Sequence, residues 1–221
     1  SHSTAHLRAQ ILYYLAENLS ARTVEFTNNL QLLTGRADAK IEVEASIQRL
    51  FFYAAWADKF DGSARSVPLK AIALVMNEAI GNCSVICDDR YPLLGFISAM
   101  APLFATGNRS IIIPSEPFSP IVTDFYQVLD TSDVPPGTVN ILTGKHTDLA
   151  LELASHMDIE SVWSFSTSDV SRDIEKASVS NLKRTWVSNG EKRDWYDEES
   201  QGIQFLTNSI ENKTIWIPYG E

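Results

Sequence analysis

Only two of the 221 residues are cysteine, Cys83 and Cys87. No disulfide framework can organise such a chain, and two cysteines four places apart on one strand lie too far apart along it to bridge. A zinc site needs further Cys or His at ligand spacing and none is near, so both thiols are expected to be buried and reduced. Basic residues are also short. Against 28 Asp and Glu stand 18 Lys and Arg, a net charge of -10, and no basic run is longer than the "LKR" of Leu182 to Arg184. Nucleic acid and anionic membranes both demand a dense cationic surface, so neither is expected as a partner. The longest apolar run, Leu93 to Ala105, is too short to span a bilayer and contains Pro102. The opening "SHSTAH" has neither the charged nor the apolar region of a secretory signal, which makes a cytoplasmic setting the expectation. A G-x-G-x-x-G turn is missing as well.

What remains suits one substantial domain, or one domain with a helical or small-sheet appendage, since the 44% hydrophobic fraction can fill a proper core. Residues 5 to 33 place Leu7, Ile11, Leu12, Leu15, Leu19, Phe26, Leu30 and Leu33 at steps of three and four, a helical period. A second helix is expected from about Lys40 to Phe60, ended by Gly62. "SVPLKAIALVMNEA" reads as a short hairpin over Val67 to Ala79. Then apolar strands at "NCSVIC", "RSIIIP", "TVNILTG", "ESVWSF" and "KRTWVS" alternate with helices at about Pro92 to Ala105, Pro117 to Asp130, His146 to His156 and Asp169 to Ser178. That alternation implies parallel strands joined by right-handed crossovers, hence an α/β layered sheet.

Past Gly190 the pattern stops. "EKRDWYDEESQGIQFLTNSIENK" is acidic and aperiodic and reads as a surface excursion, in which Trp195 and Tyr196 either dock on a partner or fold back on their own domain. The closing "TIWIPYGE" alternates apolar side chains and is expected to pair with the hairpin rather than with the α/β core.

"AAWADKFDG", "YPLL", "APLFATGN", "IPSEPFSP", "VPPGTVNILTG" and "SNLKRTWVSNG", in that order and spacing over about residues 40 to 190, resemble the aldehyde dehydrogenase superfamily. Together with "CDDRYPLL" and the final strand, the chain resembles the shortened second unit of aldehyde dehydrogenase family 16. The resemblance implies N-terminal helices over 1–62 packed on a Rossmann-like α/β domain over 81–190. It also implies a small antiparallel bridging sheet from 63–80 plus 213–221, and an acidic loop over 191–212 in place of the catalytic domain.

Aldehyde oxidation in that superfamily needs a thiolate, an oxyanion-binding amide and a carboxylate base. The resemblance puts Arg90 at the amide position and Ser188 at the base position, and no cysteine follows Cys87. Arg90 is expected to pair with Asp88 or Asp89, and the chain alone is expected not to be an enzyme. Of the cofactor positions, Glu116 keeps the ribose-binding acid, and Ser166 and Thr167 fall on the phosphate-binding turn. Ile113 stands where a lysine belongs, Asp89 where an aromatic belongs, and His146 where a glycine belongs. No cofactor is expected, or NAD(P) only weakly.

The strands "AIALVMNE" and "TIWIPYGE" carry Ile72, Leu74, Met76, Ile215, Trp216, Ile217 and Tyr219, an apolar alternation that an edge strand cannot leave bare. The resemblance implies that such a sheet joins subunits. The expected partners are therefore a second copy or the catalytic unit of a longer parent chain, with other proteins reached through the acidic loop.

Overall fold

The structure is a computed structural model and describes residues 3–219; residues 1, 2, 220 and 221, at the ends of two expected segments, lie outside it. Three helices lead: α1 (Ala5–Ala21), α2 (Thr23–Thr34) and α3 (Ala39–Ala57). The helical run expected from 5 to 33 is broken at Arg22. Its amide donates to Leu19 O, tightening the last turn of α1, while the Thr23 hydroxyl bonds back to Ser20 O at 2.7 Å. Gly35, at φ 70°, ends α2 in the left-handed conformation that glycine adopts without steric cost.

Gly62 does not cap α3, which stops five residues earlier. Its role is close approach: a Cβ there would fall 1.8 Å from Val75 O on the neighbouring strand. That contact belongs to a hairpin of β1 (Ser63–Ser66) and β2 (Ala71–Ala79), in register Ser66 to Ile72. The first strand thus precedes the expected Val67, because residues 67–70, with Pro68, make the turn.

The α/β unit follows as β3 (Asn82–Ile86), α4 (Pro92–Ala105), β4 (Arg109–Ile113), α5 (Pro120–Asp124), α6 (Tyr126–Asp130) and β5 (Val139–Ile141). It continues with α7 (His146–Ser155), β6 (Ser161–Ser164), α8 (Ser168–Ser178) and β7 (Arg184–Val187). All five strands are parallel, in the order β5-β4-β3-β6-β7. Every residue of α4 is buried, because it is sandwiched between this sheet and the N-terminal helices. On the other face α7 and α8 close a second core around Ile86, Ile113, Ala150, Ala154, Val162 and Ile174.

The segment after Gly190 is not a surface excursion. It contains α9 (Ile203–Asn208), and Trp195, Phe205 and Leu206 are fully buried while Asp197, Glu198 and Glu199 stay exposed. The acids hide the pattern, since only three apolar anchors dip inward at irregular spacing. The last strand, β8 (Ile210–Pro218), pairs antiparallel with β2 from Ala79–Ile210 to Ala71–Pro218, making a second sheet in the order β1-β2-β8.

Candidate functional site

From β3 the chain crosses to β4 on one side, and from β6 it crosses to β7 on the other. The connections therefore diverge at the carboxyl ends of β3 and β6, where open α/β sheets bind ligands.

The turn after β3 is held from the N-terminal helices. Glu42 on α3 is fully buried, and its Oε1 accepts from the amides of Leu93 at 3.0 Å and Leu94 at 3.2 Å, two of the orphan donors of α4. Its Oε2 pairs with Arg36 at 2.8 Å. Burial pushes the Glu42 carboxyl above the usual carboxylate range, opposed by the Leu94 amide, Arg36 and the Leu93 amide. Arg36 also grips Asp38 at 2.7 Å, donates to Arg90 O at 2.6 Å and lies 4.4 Å over the Tyr91 ring. Within this fixed turn Arg90 pairs with Asp88 at 3.5 Å and donates to Arg193 O at 2.5 Å. Asp89 takes the Glu116 amide at 2.9 Å instead.

On the opposite face of the crevice the chain's own groups meet one another. Glu116 Oε2 accepts from the His146 amide at 2.9 Å, so it caps α7. The His146 ring is buried; Nε2 lies 2.8 Å from Pro114 O and Nδ1 3.2 Å from Ser166 Oγ. Pro114 O can only accept, which assigns the proton to Nε2 and leaves Nδ1 to accept from the serine. Thr167 caps α8, its hydroxyl accepting from Val170 N at 3.4 Å. Ser188 extends the β7 ladder by donating its amide to Ser164 O at 2.8 Å, and its hydroxyl donates to Ser166 O at 3.4 Å. Glu116, Ser166 and Thr167 thus share one sheet edge with His146. Ser188 lines a separate cleft of about 450 Å³ with Arg193 and Asp194, and Arg90 reaches it only through the Arg193 carbonyl.

Trp195 closes the site from below. Its indole N–H donates to Asp88 Oδ2 at 3.1 Å, its ring meets Phe165 at 5.1 Å, and it lies against Gly95 on α4, where a Cβ would be in ordinary contact with the indole at 3.6 Å. Tyr196 packs edge-on against Tyr91 at 5.1 Å, so the aromatic pair folds back on its own domain. The segment is fastened by Arg49 on α3, 3% exposed, which donates to Trp195 O at 2.7 Å, Ser98 Oγ at 2.5 Å and Ser200 O. Without a carboxylate beside it, burial pulls this guanidinium down to about 10. Arg193 caps the same cluster, 5.4 to 5.8 Å from the rings of Phe165, Trp186, Trp195 and Phe205.

Sequence reasoning did not find Arg36, Glu42 or Arg49. A signal exists: Glu42, Ser46, Arg49 and Tyr53 repeat at steps of four, three and four, a polar stripe that the structure buries entirely.

Cys83 and Cys87 are buried and unpaired. Burial raises the Cys83 thiol to about 12 and the Cys87 thiol further. Neither thiol is expected to react with a thiol reagent until the chain unfolds, and rapid labelling of the native protein would contradict this placement.

In the smaller sheet Ile72 faces Ile217 and Leu74 faces Ile215 across the β2–β8 pair, with Met76 opposite Lys213 and Trp216 opposite Ala73. Ile72, Met76, Ile215, Trp216, Ile217 and Tyr219 are all at least 40% exposed. The outer edge of β8 pairs with no strand among the described residues. Among these residues there is no helix long and apolar enough to cross a membrane and no cluster of three or more metal-ligating side chains.

The sequence model of the aldehyde dehydrogenase family matches residues 1–196. Omega-crystallin of Enteroctopus dofleini is 31% identical over 184 residues, covering 81% of this chain and 37% of that protein. An aldehyde dehydrogenase of Davidiella tassiana is 29% identical over 223 residues, covering 98% of this chain and 43% of that protein. The chain therefore spans about two fifths of the length of the curated relatives it matches. Among solved structures, PnpE in complex with nicotinamide adenine dinucleotide superposes with a TM-score of 0.81 at 27% identity, over 85% of this chain and 39% of that one.

Proposed function

Because this chain belongs to the aldehyde dehydrogenase family, we propose that it is a non-catalytic dehydrogenase-like domain that serves assembly within a longer, family 16 type chain in the cytoplasm. The observation that carries this reading is the Glu116–His146 pair. A dinucleotide needs both its ribose-binding acid and its phosphate-binding turn free, and here Glu116, at the ribose position, is spent on the first amide of α7 while His146 Nδ1 engages Ser166 Oγ on the turn that opens α8. At the oxyanion position Arg90 is engaged by Asp88 and the Arg193 carbonyl, and at the base position Ser188 offers only a hydroxyl. Two free cysteines suit a reducing compartment.

The assembling surface in this reading is the bare edge of β8 with the apolar face of Ile72, Leu74, Met76, Ile215 and Ile217; Tyr219 extends it, and Trp216, opposite Ala73, flanks the edge from the other face. Its partner is a second copy or the catalytic unit of the parent chain. Light scattering of the protein is expected to show association, and the double variant Ile215→Lys, Ile217→Lys is expected to abolish it with an unchanged circular dichroism spectrum. A wild-type protein that stays monomeric at high concentration and does not associate with the parent's catalytic unit ends this reading.

A second reading, a weak dinucleotide-binding or regulatory module, is favoured by the likeness to PnpE bound to nicotinamide adenine dinucleotide. Calorimetry with NAD and NADP separates the two. No binding at millimolar cofactor is expected, and saturable binding below about 1 mM, some 4 kcal/mol of affinity, would favour the module.

A further inference from the structure

Away from the crevice, a cleft of about 280 Å³ lies where the three-stranded sheet meets the helices. Its walls mix polar groups with an apolar patch of Ala57, Phe60, Val75, Ala105, Leu206 and Ile210, from α3 and its C-terminal end, β2, α4, α9 and β8. The neutral polar groups in it are already engaged: Thr106 bonds to Pro102 O and Ser209 Oγ, and Asn77 to Phe60 O, Asp61 O and Asn212.

Arg8 is different. Its Nε donates to Ala105 O at 2.8 Å and its Nη1 to Ser3 O at 2.6 Å, but Nη2 has no partner and no carboxylate pairs with it among the described residues. Gly107, whose φ of 89° suits glycine, lies against it, with a Cβ position 3.4 Å from the guanidinium carbon. The same guanidinium also borders a second cavity, of about 80 Å³, that Arg109 lines. Burial without a compensating anion pulls Arg8 below its ordinary value. A half-buried cation with only neutral partners is costly, and an anion delivered to it recovers part of that cost.

We propose that this cleft binds a small monocarboxylic acid with an apolar body, the carboxylate on Arg8 and the hydrocarbon against Phe60, Val75 and Leu206. At about 280 Å³ the cleft lies just below the range of pockets that hold drug-sized ligands, which suits a small acid such as hexanoate. Asp61, exposed and the one acid in the lining, repels any anion, a doubly charged one such as phosphate more than a monocarboxylate. A bound acid bridges the helices to β2 and β8, so it stabilises the native chain by mass action.

The test is thermal unfolding and calorimetry of the protein with hexanoate, hexanol and hexylamine. Hexanoate is expected to bind and raise the melting temperature, while the other two do neither at equal concentration. Loss of a charged hydrogen bond predicts that Arg8→Met weakens hexanoate by roughly 10- to 100-fold. Ala57→Leu fills the cleft with Arg8 intact and is expected to abolish binding, which covers the case in which Arg8→Met does not fold. The proposal is overturned if hexanoate produces no binding, if hexanol or hexylamine matches it, or if Ala57→Leu binds hexanoate as the wild type does.

Discussion

Trp195→Ala is expected to destabilise the protein by about 3–5 kcal/mol, the range for deleting a fully buried large aromatic. Trp195 lies in an acidic stretch of mixed composition, where a surface residue would change stability by no more than about 0.5 kcal/mol. Its ring is instead completely enclosed, packed on Phe165 and on the bare backbone of Gly95, and its N–H is the partner of Asp88. Removing it opens a cavity in the main core and frees an acceptor on the turn after β3. It also removes the ring that anchors the segment whose carbonyls, at Trp195 and Ser200, accept from the two terminal nitrogens of the buried Arg49. Urea unfolding measures the loss, and limited proteolysis is expected to cut the variant between residues 191 and 209 before any other site. A variant as stable as the wild type would mean that the segment does not pack as described.

A comparable loss, about 3–5 kcal/mol, is expected for Glu42→Ala. Three donors converge on this carboxylate, two of them the Leu93 and Leu94 amides that begin α4 and the third Arg36. Truncation leaves the buried amides without an acceptor and Arg36 without its buried partner, and each unsatisfied buried group costs about 1–3 kcal/mol. Glu44→Ala is the control. Glu44 sits two residues along the same helix, but its side chain is 51% exposed and pairs with Lys40 on the surface at 3.5 Å, so its removal is expected to stay within about 0.5 kcal/mol. Urea unfolding compares the two, and amide exchange at Leu93 and Leu94 is expected to accelerate in the first variant alone. Equal stabilities for Glu42→Ala and Glu44→Ala would remove the helix cap from this account.

Much of the architecture was legible in the residues. The alternation of apolar strands with helices implied a parallel sheet, Pro92 marked the start of α4 at its first position, and the period-two pattern of the final strand pointed to the hairpin. Each of these features is local, because a strand or helix announces its buried face through spacing within ten or fifteen residues. The break at Arg22 and the function of Gly62 were not legible, since a backbone hydrogen bond to Leu19 and the approach of Val75 leave no mark on hydrophobic period. The same limit applied to the site. The resemblance singled out Arg90, Glu116, Ser166, Thr167 and Ser188, and near partners such as Asp88 for Arg90 and the Val170 amide for Thr167 lie within three residues. Yet the partners of Glu116, Ser166 and Ser188 come from elements farther along the chain.

By itself, then, the sequence determined the layers, the strand direction and the burial of both cysteines, because hydrophobic burial is roughly proportional to area and indifferent to which neighbour provides the cover. Tertiary structure alone decided that Glu42 would meet an amide 51 positions away, that Arg49 would meet a carbonyl 146 positions away, and that Glu116 would cap α7. Polar groups are particular in a way that apolar ones are not. A buried donor needs one acceptor at one distance and angle, and only the assembled fold brings that acceptor into place.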